Sequence, residues 1–448
     1  MRKLGKVSLA GAAAFVLLQA VRPGIPARVA TAELQAPPDI KRILEKACYS
    51  CHSDQLKLSW FDQVVPAYWL VRRDILTARE HLNFSTLGSK PPAAQKAALF
   101  EAVNMIQFGA MPLPQFTLLH PEAKVTAGEL MRLKTFLSPW TPLSAATPAP
   151  SDPDHSQQPG GSVSPEFNGL PFDSDFESWK PISTTDRGDN DTFRFILGNE
   201  VAVKAAQSGN ISPWPDGSRF AKIAWQQELG SDGLVHPGKF IQVEFMIKDA
   251  RGHRDTDGWA WGRWRGLDLK PYGSDAQFVR ECTGCHRPMR ANDYVYTLPI
   301  TRALARRNDV VNNSAAALPE SLPYQPLSWN AITMYVAPAT HTTAVLYGND
   351  AAIGSVRAHT HRGTTHGPAY ATGAVLALVT WAQREDPHWF GARIPSEPQS
   401  VEFVQVQAAQ KNEYRRFAGP GLTEDRPSPD ISAQRTNHLL DLAPALLP

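Results

Sequence analysis

From about residue 36 to 142 apolar positions recur at helical spacing. In PPDIKRILEKACYSCHS, Ile40, Ile43 and Leu44 share one face behind a proline start. PAAQKAALFEAVNMIQFG and TAGELMRLKTFL repeat the pattern, and in the second Thr126 stands three residues before Glu129, the arrangement of a capping box. A polar stretch follows, PLSAATPAPSDPDHSQQPGGSVSPE, with too few apolar residues to build a core. It reads as a linker over 143–165. Beyond it the period changes to two. TFRFILG, RFAKIAW, KFIQVEFMI and GWAWGRW are short, aromatic or β-branched and separated by turn residues, with GNEVAVKAAQSG as an intervening helix. The pattern predicts a multidomain α+β chain, with an all-α domain at 36–142 followed by mainly antiparallel β-sheet structure.

The β region matches itself. SWKPIS and FILGNEVAV align with SWNAIT and VLYGNDAAI, pairing Trp179 with Trp329 and Gly198 with Gly348. GSRFAKIAWQQ aligns with GAVLALVTWAQ, pairing Trp225 with Trp381, and HPGKFIQVEF with IPSEPQSVEF, pairing Glu244 with Glu402. The spacing between partners grows only in loops, as a duplicated domain with small insertions requires. Two tandem β domains are therefore expected, at 166–310 and 320–448, the second a degenerate copy without cysteine.

Composition narrows the class. A net charge of +2 gives no reason to expect nucleic acid as a partner. The N-terminus, MRKLGKVSLAGAAAFVLLQAVRPG, sets cations before an apolar run from Val7 to Val21, the layout of an export signal. That run is shorter than the ~20 residues of a full membrane span. ATA at 30–32 offers a cleavage site, so residues 1–32 read as a signal peptide or an N-terminal membrane anchor, and the chain as periplasmic.

The four cysteines of the 448 residues fall in two C-x-x-C-H motifs, CYSCH at 48–52 and CTGCH at 282–286. This motif attaches haem c through two thioethers and sets the adjacent histidine beneath the iron. A redox C-x-x-C has no need of the histidine, and a zinc site would need partner cysteines that the other motif consumes. Two covalently attached c-type haems are expected, on Cys48, Cys51 and His52 and on Cys282, Cys285 and His286. For the first iron's other face, Met111 in FGAMPLPQF lies on a proline-flanked loop suited to a thioether ligand, with His81 and His120 as rivals. Met105 reads as a core methionine.

Lys222 stands in mid-strand in RFAKIAW. Alternation puts Phe220, Lys222 and Ala224 on one face and Ala221, Ile223 and Trp225 on the other. Facing inward, its amine would lose its charge readily and become nucleophilic. Facing outward, it is an ordinary surface lysine. In FIQVEFM, Gln242, Glu244 and Met246 share a face, so Glu244 is a candidate proton acceptor. The second copy carries Leu378 in place of Lys222 yet keeps Glu402, which favours a structural glutamate. Met246 and Met289 are further thioethers that could close the second iron. The histidines of HTHRGTTHG, His359, His361 and His366, read as surface residues rather than a metal site.

ACYSCHS, VVPAYWLVRRD, REHLNFSTL and MPLPQFTLLHPEA, in that order, resemble a family of exported haem-binding domains with a single C-x-x-C-H. That resemblance implies a small helical cytochrome c used in electron transfer. LGNEVAVKAAQSG, WPDGSRFAKIAW, PGKFIQVEFMIKD, DGWAWGRW and ECTGCHRPMRANDYVYT resemble cytochrome P-460, whose non-cross-linked relative is cytochrome c′-beta. This resemblance implies a haem-dependent oxidoreductase with a five-coordinate haem, oxidising hydroxylamine or a nitrogen oxide, in which a strand lysine bonds to a haem meso carbon. Lys222 holds the matching position. With the helical domain as an electron-transfer module, electrons are expected to leave through the first haem to a soluble periplasmic acceptor. Capture of NO or CO without turnover, and simple electron relay, are the alternatives.

Overall fold

The computed structural model describes residues 11–26, 31–138, 163–301, 312–360, 367–408 and 411–448. The chain divides into two units, Met1–Trp140 and Thr141–Pro448. The layout is the α+β arrangement expected: helices first, antiparallel sheet after. Most of the linker expected at 143–165 lies outside the described residues, as do 1–10, 27–30, His361 and His366.

The first unit is built from α1 (Pro38–Ala47), α2 (Tyr49–His52), α3 (Ala67–His81), α4 (Pro92–Gln107), α5 (Pro114–Leu119) and α6 (Ala127–Leu137). α1 buries Ile40, Ile43, Leu44 and Ala47, the apolar face of its sequence. The capping box at α6 is present, Thr126 and Glu129 bonding reciprocally. Lys46 at the end of α1 reaches Glu129 at 2.6 Å, tying the two helices together. The segment 19–26 runs along α3. Tyr68 Oη donates to the Pro23 carbonyl at 2.6 Å, Trp69 to Val21 at 2.8 Å and Arg79 to Pro26 at 2.6 Å. Residues 11–18 are helical. No helix among the described residues is long and apolar enough to cross a membrane.

The second unit contains β1 (Lys180–Arg187), β2 (Thr192–Gly198), α7 (Glu200–Ser208), β3 (Arg219–Leu229), β4 (Val235–Lys248), β5 (Trp259–Arg265), β6 (Lys270–Pro271) and α8 (Gln277–His286). Then follow β7 (Asn330–Ala337), β8 (Thr342–Gly348), α9 (Asp350–Thr360), β9 (Val375–Asp386), β10 (Trp389–Gln405), β11 (Glu413–Ala418), β12 (Thr423–Asp425) and α10 (Pro429–Asp441). The strands pair in the order β1-β2-β3-β4-β7-β8-β9-β10, and β10 returns to β1, so the sheet closes on itself. Closure removes the free edges of those strands. β5 and β6 branch from β4, and β11 and β12 from β10.

The second half repeats the first in order and register. At one seam Val235 pairs with Val336, and at the other Arg393 pairs with Asp186. Val336 and Arg393 align with Asp186 and Val235, so the seams exchange under a two-fold rotation. Aligned residues also meet on that axis. Lys180 bonds to Asn330 at 2.6 Å and Thr184 to the Met334 sulfur at 3.1 Å, both 150 residues apart. Gln227 and its aligned partner Gln383 converge on the two oxygens of buried Asp186, at 2.6 and 2.8 Å. One continuous core fills the interior, with Phe195, Ile223, Trp225, Phe240 and Phe245 from the first half and Met334, Val345, Trp381 and Phe403 from the second. On the outer face of the first half lies a separate apolar cluster, Phe220, Met246, Trp259, Trp261, Phe278 and Cys282, beneath α7 and α8.

Candidate haem sites

The first C-x-x-C-H is wound as a helical turn. Cys48 N–H donates to the Leu44 carbonyl at 2.8 Å and His52 N–H to that of Cys48 at 2.8 Å. Burial, with Cys51 next to it, pushes the Cys48 thiol up to about 12. His52 Nδ1 lies 2.9 Å from the Leu82 carbonyl, which can only accept. Nδ1 therefore carries the proton and Nε2 keeps its lone pair, the tautomer an iron ligand needs. Burial lowers the His52 pKa, so the ring is held neutral.

Met111 sits half-buried in the turn between α4 and α5, where Gly109 adopts φ +68° and Met111 N–H donates to Met105 at 3.1 Å. Of its rivals, His120 is committed elsewhere. Its Nε2 lies 3.1 Å from Asp62 and its Nδ1 3.3 Å from Glu122, and the ring stacks on Phe116 at 4.1 Å. His81 is exposed at the end of α3, close enough to His52 to depress its pKa.

The second site is assembled by strand register. Lys222 on β3 pairs opposite Glu244 on β4, Glu244 opposite Arg263 on β5, and Ile196 on β2 opposite Lys222. One row of side chains thus crosses four strands on the outer face. Phe220 and Met246 lie in the outer cluster, while Ala221, Ile223 and Trp225 turn to the interior. Glu244 forms ion pairs with Lys222 and, at 2.9 Å, with Arg263. Arg263 also meets Glu281 at 3.0 Å, the residue preceding Cys282 on α8. The charged row is thereby joined to the helix that carries the motif.

Burial pulls the Lys222 amine down to about 8 against the attraction of Glu244. Burial alone would raise Glu244, but Lys222 and Arg263 outweigh it and hold the carboxyl at about 2. Arg194, on β2 opposite Ala224, is brought down to about 9 by burial and by Arg187. Burial raises the Cys282 thiol to about 12 although Arg263 opposes it. His286 falls to about 4, chiefly through burial, and its Nδ1 lies 2.7 Å from the Tyr294 carbonyl. As at His52, that leaves a neutral ring with Nε2 available to a metal. Trp261 at 4.5 Å and Tyr296 at 5.3 Å flank the ring. Met289 stands three residues beyond His286, buried in the 3₁₀ turn Arg287–Asn292.

Both motifs fit a covalently held haem. Each offers two unbridged cysteines and an oriented neutral histidine. At the second, the indole N–H groups of Trp214, Trp259 and Trp261 are buried without acceptors, in a wall whose core is apolar. Among the described residues no group of three or more histidine, cysteine or acidic side chains could hold a metal ion. Arg263, Arg194, Glu281, Tyr294 and Tyr296 escaped the sequence reading. Arg263 had a signal, since GWAWGRW interrupts its aromatic run with a cation two residues from Trp261, on the face that meets Glu244.

Oriented histidines beside paired, unbridged cysteines are consistent with c-type haem attachment sites. The family comparisons agree. Residues 10–139 match the family described as haem-binding domain, and residues 173–297 match cytochrome P460. The chain thus carries an N-terminal haem-binding domain and a cytochrome P460-family domain, which supports a haem-linked, oxidoreductase-like function. The second family match ends at residue 297, and the region beyond it is structurally similar to that domain. No curated protein matches the chain.

Proposed function

We propose that the chain is an exported, periplasmic dihaem c-type cytochrome that oxidises hydroxylamine or nitric oxide at its second haem. Cys48, Cys51, His52 and Met111 would hold the first haem, which would supply the electron exit to a soluble acceptor. Cys282, Cys285 and His286 would hold the second, which would supply the iron for a small nitrogen compound. The half spanning 320–448 is its haemless copy.

The observation that carries this reading is the row Lys222–Glu244–Arg263, joined through Glu281 to the motif helix. A lysine drawn to about 8 has an appreciable neutral fraction near pH 7. Neutral, its nitrogen carries the lone pair that a bond to a haem edge carbon needs; that bond would replace one N–H and the carbon's C–H, and an oxidant such as a peroxide would have to take up the two electrons released. Glu244 anchors that side chain beforehand. Once Lys222 is no longer a cation, only Arg263 and, more weakly, Arg194 hold the Glu244 carboxyl down. Its pKa then rises toward the range where it can take a proton from substrate.

The ion pair also favours the rival reading. While Lys222 stays protonated on Glu244, no bond to haem forms, and the site is a gas-binding haem like that of cytochrome c′-beta. Lys222→Leu decides between them, since Leu378 shows that the aligned position of the second half accepts leucine. The variant should retain haem at Cys282 and Cys285, lose the red-shifted ferrous Soret band and hydroxylamine oxidation, and still bind NO. Identical spectra and identical haem–peptide masses for parent and variant would reject the cross-link and leave the gas-binding reading. Glu244→Gln should keep the cross-linked mass and flatten the acid limb of the rate profile. An unchanged limb would restrict Glu244 to anchoring.

A further inference from the structure

The second half carries no cysteine, yet its β9–β10 hairpin reaches the proximal side of the second motif. The joint is Tyr296. Its hydroxyl donates to the Cys285 carbonyl at 2.6 Å and its ring packs edge-on against His286 at 5.3 Å. Tyr296 therefore fixes both the end of the motif helix and the face of the imidazole.

Tyr296 is in turn gripped by two hairpin residues. His388 Nδ1 lies 2.7 Å from the Tyr296 carbonyl, and the Trp389 ring meets the Tyr296 ring at 5.6 Å. Trp389 is itself locked. Its indole N–H donates to Asp189 at 3.1 Å, and the Arg187 guanidinium lies over its ring at 4.4 Å. Arg187 and Asp189 are both buried and bidentately paired. Buried, fully partnered groups of this kind hold one geometry, because any shift strands a charge. The hairpin backbone is fixed beside them, where Arg187 pairs with Ala392 and Asp189 N–H donates to Gly391 at 3.2 Å.

We propose that the second half positions the proximal ligand of the first half's haem. His388 and Trp389 hold Tyr296 against His286 and so fix the angle and strength of the iron–histidine bond. This gives the haemless half a function beyond filling the sheet. It rests on the reading that 282–286 carries haem, and the experiment separates the two. A ligand's orientation and hydrogen bonding set the electronics of its metal, so loosening the support should be read at the iron before it is read in the fold.

The test uses the full-length, haem-loaded chain and the variants Trp389→Ala, Trp389→Phe, His388→Ala and Tyr296→Phe. Haem staining of the peptide containing Cys282 and Cys285 comes first, and its absence in the parent chain would remove the haem reading itself. With staining retained, Trp389→Ala and His388→Ala should shift and broaden the iron–histidine stretching band of the second haem and move its reduction potential. Trp389→Phe, which keeps an aromatic ring, should restore the parent band. Tyr296→Phe keeps the ring and frees Cys285, so it should give an intermediate shift. Unchanged band and potential in Trp389→Ala and His388→Ala would overturn the proposal. So would a Trp389→Phe chain as perturbed as Trp389→Ala, since a ring packed on Tyr296 would then not be what holds it.

Discussion

At the scale of single residues, a histidine's second nitrogen decides what its first can do. His52 and His286 each bond a carbonyl through Nδ1 and keep Nε2 for a metal, whereas His120 spends both nitrogens on Asp62 and Glu122. With His120 so committed, Met111, with His81 as its rival, is the proposed sixth ligand of the first haem. A thioether opposite a histidine raises the potential of the iron. Met111→Ala should leave the haem attached through Cys48 and Cys51, give a high-spin signal, and lower the potential of that haem. Persistence of the near-infrared sulfur-to-iron band in the variant would assign the ligand elsewhere. A histidine-ligated spectrum already present in the parent chain would point to His81.

Helices and strands show how one scaffold serves two purposes. The row Ile196–Lys222–Glu244–Arg263 of the first half has its counterpart in Leu346–Leu378–Glu402–Arg416 of the second. There the buried glutamate loses its lysine, and Arg416 turns to Asp425 at 3.1 Å. Its partners are instead Arg435 of α10, at 2.7 and 2.8 Å, and the Tyr414 hydroxyl at 2.6 Å. Leu439, one turn further along α10, packs with Leu346 and Leu378. Arg435→Ala would leave Glu402 buried and half-satisfied, at a cost of about 3 kcal/mol. The urea midpoint should fall accordingly, and the joint change Glu402→Leu, Arg435→Met should recover most of it. An unmoved midpoint in the single variant would mean that Tyr414 and water suffice. The contrast also shows what the sequence could disclose. Both motifs, the helical period of α1, α4 and α6, the strand faces of Lys222 and Glu244 and the alignment of Glu402 follow from local spacing. Arg435 and Tyr296 were hidden because each acts through a tertiary contact that is not written in the residues nearby, and the cation that GWAWGRW shows at Arg263 does not disclose its partner Glu244, which strand register supplies.

Across the second unit, closure of the sheet depends on the swap of seams. β1 finds its outer partner only in β10, and β4 finds β7, so neither half satisfies its own edges. The interior cluster is also shared. Trp225 and Phe195 lie in one core with Met334 and Trp381, and Trp225 Nε1 donates to Leu446 at 2.7 Å. A chain ending at residue 310 would expose that apolar face together with two unpaired strand edges, a combination that drives association. The fragment's own surface has the complement it lacks, because the second half repeats the first in register. Two fragments can restore the ring if β4 of one takes β1 of the other, setting Val235 opposite Asp186 as Arg393 stands opposite it in the full chain. The expected outcome is a two-fold dimer at moderate concentration and aggregation where pairing fails. Sedimentation of the haem-stained fragment measures this directly, and a cysteine pair placed at 235 and 186 should cross-link between fragments and not within one. A fragment that stays monomeric across the concentration range, with no exposed apolar surface by dye binding, would show that the first half closes its sheet unaided.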